Sequence, residues 1–301
     1  MIINLSFKNI LLFVVLSGLL IASCASGREK GVLIFPDDPV LALELITREL
    51  ADGNGGVIWD AMPASYQSDI NSVAHLLAEK VDAELYNKSF YLIGRIIDVA
   101  TKQKKFIFNT NFGGKISEDN LVKVEAAWSS IIALSKCLSR SSIGDADGLK
   151  SFDGQSFFDS TVSSLIRYTT DITLSSGGKK PFEYSSIDLL ESNNKRTILG
   201  LTSTSGTVQR MEFTNLQGRW IPTNISNEWV KTMAEFKEKL EAINPEELAK
   251  NKPRLIALIS MLEGVLKQMD MAETQVQFDL SLQRAVLPLV GLLFTPSGME
   301  N

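Results

Sequence analysis

The chain has 301 residues, of which 45% are hydrophobic and 22% charged, so its composition is that of a folded globular protein and excludes a disordered chain. Its formal net charge is -5 and no long run of Lys or Arg occurs, which argues against nucleic acid as a partner. A disulfide framework is excluded because only two cysteines are present, Cys24 near the N-terminus and Cys137 within the apolar stretch IIALSKCL, where we expect a small buried side chain.

Residues 1–23 have the layout of a secretory signal. A short segment with Lys8 precedes the apolar run ILLFVVLSGLLIA, and small residues follow it. The run is shorter than the ~20 apolar residues that a membrane-spanning helix needs. We therefore expect the chain to be exported.

The motif at the end of this run, Ile21-Ala22-Ser23-Cys24, resembles the lipobox of bacterial lipoproteins, in which a branched aliphatic residue and two small residues precede an obligatory cysteine. The resemblance implies cleavage before Cys24, a diacylglyceryl group on its thiol and an acylated amino group. Ala25 stands where an Asp would imply retention in the inner membrane, so the resemblance favours the periplasmic face of the outer membrane. An ordinary signal peptide cut nearby, or an uncleaved N-terminal anchor, is the alternative.

We predict an α+β fold in which a polar tether, residues 24–30, leads into a helical subdomain spanning 31–170. GVLIF at 31–35 predicts one short strand. The next helix has Asp38 as N-cap and Pro39 at its first position, and it ends at the glycines of 53–56. Helical periodicity then continues to about Tyr168, with Ser117 as a further cap.

Residues 171–225 predict an antiparallel meander of three to four strands, because short β-branched runs alternate with turn residues. Apolar and polar side chains alternate along these runs, so one face of the sheet should pack on helices. The expected apolar face contains Leu199, Leu201, Met211 and Phe213.

Residues 226–301 predict C-terminal helices that pack on the meander. Ser226 is the expected cap of the first, and the Lys252–Pro253 step is expected to split the second. The apolar run at 285–294 is expected to be a buried terminal helix.

The second half of the chain is similar to parts of uncharacterised envelope lipoproteins, on the basis of a helix leading into a meander with turn glycines and a strand of GRWIP type. It is less similar to cystatin-like and nuclear-transport-factor-like α+β folds, whose curved sheet often holds a small apolar ligand. Fold resemblance of this kind implies no particular activity.

The sequence offers no strong catalytic or metal-binding constellation. His75 is the one histidine and is expected at a helix surface or core edge. Ser192-Asn193-Asn194-Lys195 matches S-x-x-K but reads as a hairpin turn. Asp145-Ala146-Asp147-Gly148 with Asp153 lacks the spacing of an EF-hand and is interpreted as a capped turn between helices. We therefore predict no catalytic residue, no metal ligand and no cofactor.

Trp220 and Trp229 are the candidate ligand-binding residues, since two aromatic rings beside an open sheet face could receive a peptide, glycan or lipid. The favoured alternative is that both pack the sheet against its helix. The first functional hypothesis is a non-enzymatic, lipid-anchored envelope protein with a protein or glycan partner. The second is a ligand carrier, or a hydrolase whose α+β pocket has two facing carboxylates.

Overall fold

The computed structural model describes residues 33–110, 117–193 and 196–293, with side chains up to Arg284. The signal segment, Cys24 and the tether lie outside the described residues, as do Asn194, Lys195 and the side chains of the apolar run at 285–294. The fold is α+β, as predicted, with a helical first half, a four-stranded antiparallel sheet and helices at the C-terminal end.

The first half consists of helices of very different lengths. Their bounds are α1 Pro39–Ala51, α2 Gly56–Asp60, α3 Ala64–Lys80, α4 Ala83–Lys102, α5 Lys104–Asn109, α6 Glu118–Ser139, α7 Ala146–Lys150, α8 Gly154–Phe157 and α9 Ser163–Ser175. A π-helical turn, Phe158–Val162, joins α8 to α9.

The start of α1 is as the sequence predicts. The Asp38 carboxylate accepts hydrogen bonds from the backbone N–H groups of Val40 and Leu41, and Pro39 occupies the first helical position. Leu43, Ile46 and Leu50 lie on the buried side of the helix.

The sheet is a simple meander with strand order β1-β2-β3-β4, formed by Tyr184–Ser192, Arg196–Ser203, Val208–Leu216 and Arg219–Pro222. Leu199 faces Met211 and Thr197 faces Phe213 in the β2–β3 register. The predicted apolar face is confirmed: Leu199, Leu201 and Phe213 are each at most 2% exposed. They pack with Leu43 of α1, so this face is covered and does not form an open cup.

The C-terminal helices are α10 Thr223–Glu241, α11 Pro245–Asp270 and α12 Gln275–Leu293. None of the helices in the described ranges is both long and apolar enough to span a bilayer.

Two expected features were wrong, and a third, the Ser117 cap of α6, is confirmed in position only. Residues 33–36 have no regular secondary structure, so no strand forms over the described part of GVLIF. The helix that includes Ser226 begins at Thr223, directly after Pro222, and the Ser226 hydroxyl donates to the carbonyl of Thr223 instead of capping. Ser117 does precede α6, but its side chain makes no capping hydrogen bond.

The Lys252–Pro253 step does not split α11, which is continuous from Pro245 to Asp270. Pro253 removes the N–H that would bond the carbonyl of Ala249. Both residues are exposed, so water can solvate that carbonyl. The Lys252 ammonium also lies 2.9 Å from the Asp82 carboxylate and 3.0 Å from that of Glu84, which ties this turn to the start of α4.

The helical and sheet segments share a core instead of forming separate units. The main cluster brings Trp59 of α2 and Phe158 of the π-helical turn together with Ile221 of β4 and Trp229 of α10. A second cluster packs Val99 of α4 against α11 and α12. The expected limits at residues 170 and 226 therefore do not separate independently packed parts, and the helical run extends to Ser175.

Candidate functional site

Trp229 lies in the core. It is 4% exposed and its ring stacks on Tyr66 of α3, with ring centroids 3.9 Å apart and planes 6° from parallel. Its indole N–H donates to the Asp69 carboxylate at 3.0 Å, and Lys237 approaches the same carboxylate at 3.4 Å. The proposed contact role of Trp229 is therefore corrected, because this side chain joins α10 to α3 and is covered.

Trp220 also has a packing role. Its ring borders the apolar cluster under the sheet, and its indole N–H donates to the carbonyl of Asp37 at 2.8 Å. Its neighbour Arg219 lies over the ring of Phe35, 4.9 Å from the centroid. We call residues 33–38 the strap, since β4 fastens this segment to the domain. The two tryptophans are thus not brought together as a docking pair.

The other singled-out polar residues serve the fold. His75 lies in α3 with its Nε2 3.0 Å from the carbonyl oxygen of Phe152. Asp145 caps α7 by accepting from the N–H of Gly148, and Asp153 caps α8 by accepting from that of Ser156. Among the described residues, no group of three His, Cys, Asp or Glu side chains is placed to hold a metal ion. Cys137 is buried in α6, as expected.

A concave feature lies between α4 and the C-terminal end of α6, and we call it the α4–α6 cleft. Its volume is about 330 Å³, at the lower end of the ~300–1,000 Å³ typical of small-molecule sites. The lining residues are Asn87, Phe90, Tyr91, Gly94, Arg95, Ile97 and Asp98 of α4, with Lys136, Ser139, Arg140 and Gly144.

Two α4 side chains hold the loop that closes one end of the cleft. The Tyr86 hydroxyl donates to the carbonyl of Ile143 at 2.6 Å, and the Asn87 side-chain oxygen accepts from the N–H of Ala146 at 2.8 Å. Burial, followed by the nearby Asp145 carboxylate, raises the pKa of Tyr86 to about 12, so the hydroxyl stays protonated and remains a donor at neutral pH.

The cleft is positively charged within an acidic chain. Its lining includes three cations, Arg95, Lys136 and Arg140, against the single carboxylate of Asp98. Arg95 contacts Asp98 at 3.4 Å. We refer to Arg95, Lys136 and Arg140 as the cleft cations.

Two of the cleft cations have no charged partner. Within the described ranges, neither Lys136 nor Arg140 forms an ion pair, and neither cationic side chain donates a hydrogen bond; the Ser139 hydroxyl donates only to the backbone carbonyl of Lys136. Both stand at the end of α6, where the helix dipole favours a cation. That reason does not apply to Arg95, which lies in the interior of α4.

Gly94 is the least expected residue of the cleft. It lies inside α4, where glycine costs about 1 kcal/mol relative to alanine. A Cβ added there would meet nothing within 4 Å, so no close helix packing accounts for the glycine. Its effect is to leave space in the cleft between the ring-bearing side chains and the cleft cations.

The cleft could not be predicted from the sequence because its two walls come from helices that are separated along the chain. Two signals were present: a glycine in the middle of a strongly amphipathic helix, and basic residues at 136 and 140, a spacing that places them on one side of α6. The expected pair of facing carboxylates is not found in this cleft, whose Asp98 is the one acidic residue and contacts Arg95.

Comparison with known proteins adds no family: no family model matches the chain, and no curated protein and no solved structure matches it significantly.

Proposed function

We propose that this chain is a lipid-anchored protein of the bacterial cell envelope that acts by binding, with the α4–α6 cleft as its binding site. The observation that carries the binding function is the cleft itself, where two cations without charged partners line a concavity of small-molecule size. The lipobox-like motif at residues 21–24, directly after the apolar run, supports the anchor and its location.

Lipid anchoring fits the arrangement of the described domain. Each buried methylene contributes about 0.8 kcal/mol, so two or three acyl chains on Cys24 would hold the protein stably on a bilayer. Leu33 lies nine residue steps after Cys24, and at ~3.4 Å a step the strap must then lie within about 30 Å of the attachment point. The domain would then work close to the membrane surface.

The anchor is tested by metabolic labelling with a fatty-acid analogue, followed by separation of membrane and soluble fractions. The wild-type chain should carry the label, migrate at the size expected after cleavage and sediment with the outer membrane. Cys24→Ser should lose the label and remain uncleaved.

Cys137→Ser is the matched control, since it removes the other cysteine, which is buried in α6. This variant should be labelled like the wild type. An unlabelled wild-type chain, or equal labelling of Cys24→Ser, would contradict the lipid anchor. A labelled chain in the inner membrane would contradict only the outer-membrane location.

A further inference from the structure

The chemistry of the α4–α6 cleft indicates which class of ligand it takes. We propose that it binds a small amphipathic anion, a phosphate or carboxylate group attached to an apolar portion. The cleft cations hold the anionic group, and the apolar portion lies along Phe90 and Tyr91 beside Gly94. The inference deepens the binding function proposed above and does not depend on the lipid anchor.

The anionic preference follows from the charges. The cleft cations outnumber its carboxylate by three to one, although the whole chain has a net charge of -5. A cation that lines a concavity without a partner retains its donors for a ligand. Two of the three are guanidinium groups, whose planar fork matches the oxygens of phosphate and carboxylate.

The apolar part of the preference follows from other side chains that α4 contributes to the cleft. Tyr91 lines the cleft and is 60% exposed, so its ring is accessible to a bound molecule. Phe90 and Ile97 add apolar lining. The volume of about 330 Å³ accommodates a small molecule, or one end of a longer one, but not a folded partner.

Gly94 leaves room for a ligand in the cleft. It lines the cleft, and an added Cβ there would meet no atom within 4 Å. Because glycine carries no side chain, this part of α4 does not occupy the opening.

The experiment is a calorimetric titration of the full-length protein in a non-ionic detergent. The probes are phenyl phosphate, inorganic phosphate, dihexanoyl phosphatidylglycerol below its micelle concentration and the neutral phenyl glucoside. Phenyl phosphate should bind more tightly than inorganic phosphate and than the neutral glucoside. Its affinity should fall as salt is raised from about 0.05 to about 0.5 M, because salt screens exposed charges.

Gly94→Trp should fill the cleft and weaken phenyl phosphate binding at least tenfold, without loss of the fold, because its Cβ meets open space. Arg140→Gln should weaken it about tenfold, the effect of losing one charge-assisted hydrogen bond. Gly264→Trp is the matched control: Gly264 is also inside a long helix with nothing within 4 Å of an added Cβ, but it does not line the cleft. The control should bind like the wild type.

The phospholipid probe distinguishes two sources of the same chemistry. Tighter binding of dihexanoyl phosphatidylglycerol than of phenyl phosphate identifies a lipid head group, and the reverse order identifies a free phosphate ester; both orders support the proposal. If phenyl glucoside binds as tightly as phenyl phosphate and Gly94→Trp abolishes both, the anionic class is overturned and the binding function stands. If no probe binds in a manner that depends on Gly94, both the anionic ligand class and the binding function are overturned.

Discussion

Gln103 joins three helices through one buried amide, and its loss should destabilise the C-terminal part of the protein. It is 7% exposed, lies between α4 and α5, and its side-chain nitrogen lies 2.8–3.1 Å from the carbonyl oxygens of Met269, Asp270 and Ala272. These carbonyls belong to the end of α11 and the residues just after it, where most carbonyls lack an intrahelical donor. The Met269 carbonyl also accepts from the N–H of Ala272, and the Asp270 carbonyl accepts from the Lys102 ammonium. Gln103 therefore caps α11 from outside.

Gln103→Met keeps the volume of the side chain and removes both N–H donors. Two net hydrogen bonds at about 1 kcal/mol each, together with a buried carbonyl left without a donor, predict a loss of about 2–4 kcal/mol in the free energy of unfolding. This is a large fraction of the ~5–15 kcal/mol by which folded proteins are stable. Urea unfolding followed by circular dichroism measures it, and hydrogen exchange of α11 and α12 should show that their protection falls most.

Gln67→Met is the matched control, because Gln67 donates one hydrogen bond, to the carbonyl of Trp59 at 2.8 Å, from a half-buried position. It should cost about 1 kcal/mol. Gln103→Glu should be more destabilised at neutral pH, since a carboxylate would face carbonyl oxygens. The pKa of that carboxyl should be raised in the folded state, so the variant should gain stability as the pH falls. Equal losses in Gln103→Met and Gln67→Met would refute the capping role.

Three further changes probe the packing around the cleft and the core. Burial raises the pKa of Tyr86 to about 12, above its unfolded value of about 10, so its contribution to stability is complete below pH ~10 and is lost as the pH rises towards 12. The difference in unfolding free energy between wild type and Tyr86→Phe, measured by urea unfolding, should therefore become smaller across that pH range. A constant difference would contradict the assignment. In Gly154→Ala the new Cβ would lie 2.1 Å from the ring of the buried Trp59, and thermal unfolding should show a loss of about 1–3 kcal/mol. Gly94→Ala, whose Cβ meets no atom within 4 Å, should instead gain about 0.5–1 kcal/mol, and equal effects of the two alanines would contradict the steric argument.

The sequence predicts those features of the fold whose causes are local. Asp38 and Pro39 define the start of α1 because a cap and a fixed φ act over a few residues. The alternation of Met211 and Phe213 with polar neighbours predicts the buried face of the sheet for the same reason. The continuity of α11 through Pro253 could not be predicted, because it depends on a distant ion pair and on exposure of the freed carbonyl.

The functional features depend on contacts between distant segments. Trp229 was a reasonable surface candidate from its place after the meander, but Tyr66, far earlier in the chain, stacks on its ring. The α4–α6 cleft requires α4 and α6 to meet at an angle that leaves a gap, which no periodicity encodes. The glycine at residue 94 lies inside a helix and lines the cleft, but Gly264 is equally unpacked inside a helix and does not line it, so a helical glycine alone does not locate the site.

The way the strap is attached has a mechanical consequence for the proposed anchor on Cys24. The strap is held by Phe35 under Arg219, by the hydrogen bond to the carbonyl of Asp37 and by packing of Leu33 and Phe35 against the main core, without a strand ladder in parallel. A force applied through the N-terminal attachment would act on these contacts one after another, so the strap should detach before α1 or the sheet unfolds. Release of the six strap residues, at ~3.4 Å each, would lengthen the tether by about 20 Å. The domain would thus move away from the attachment point under force and return, still folded, when the force ends.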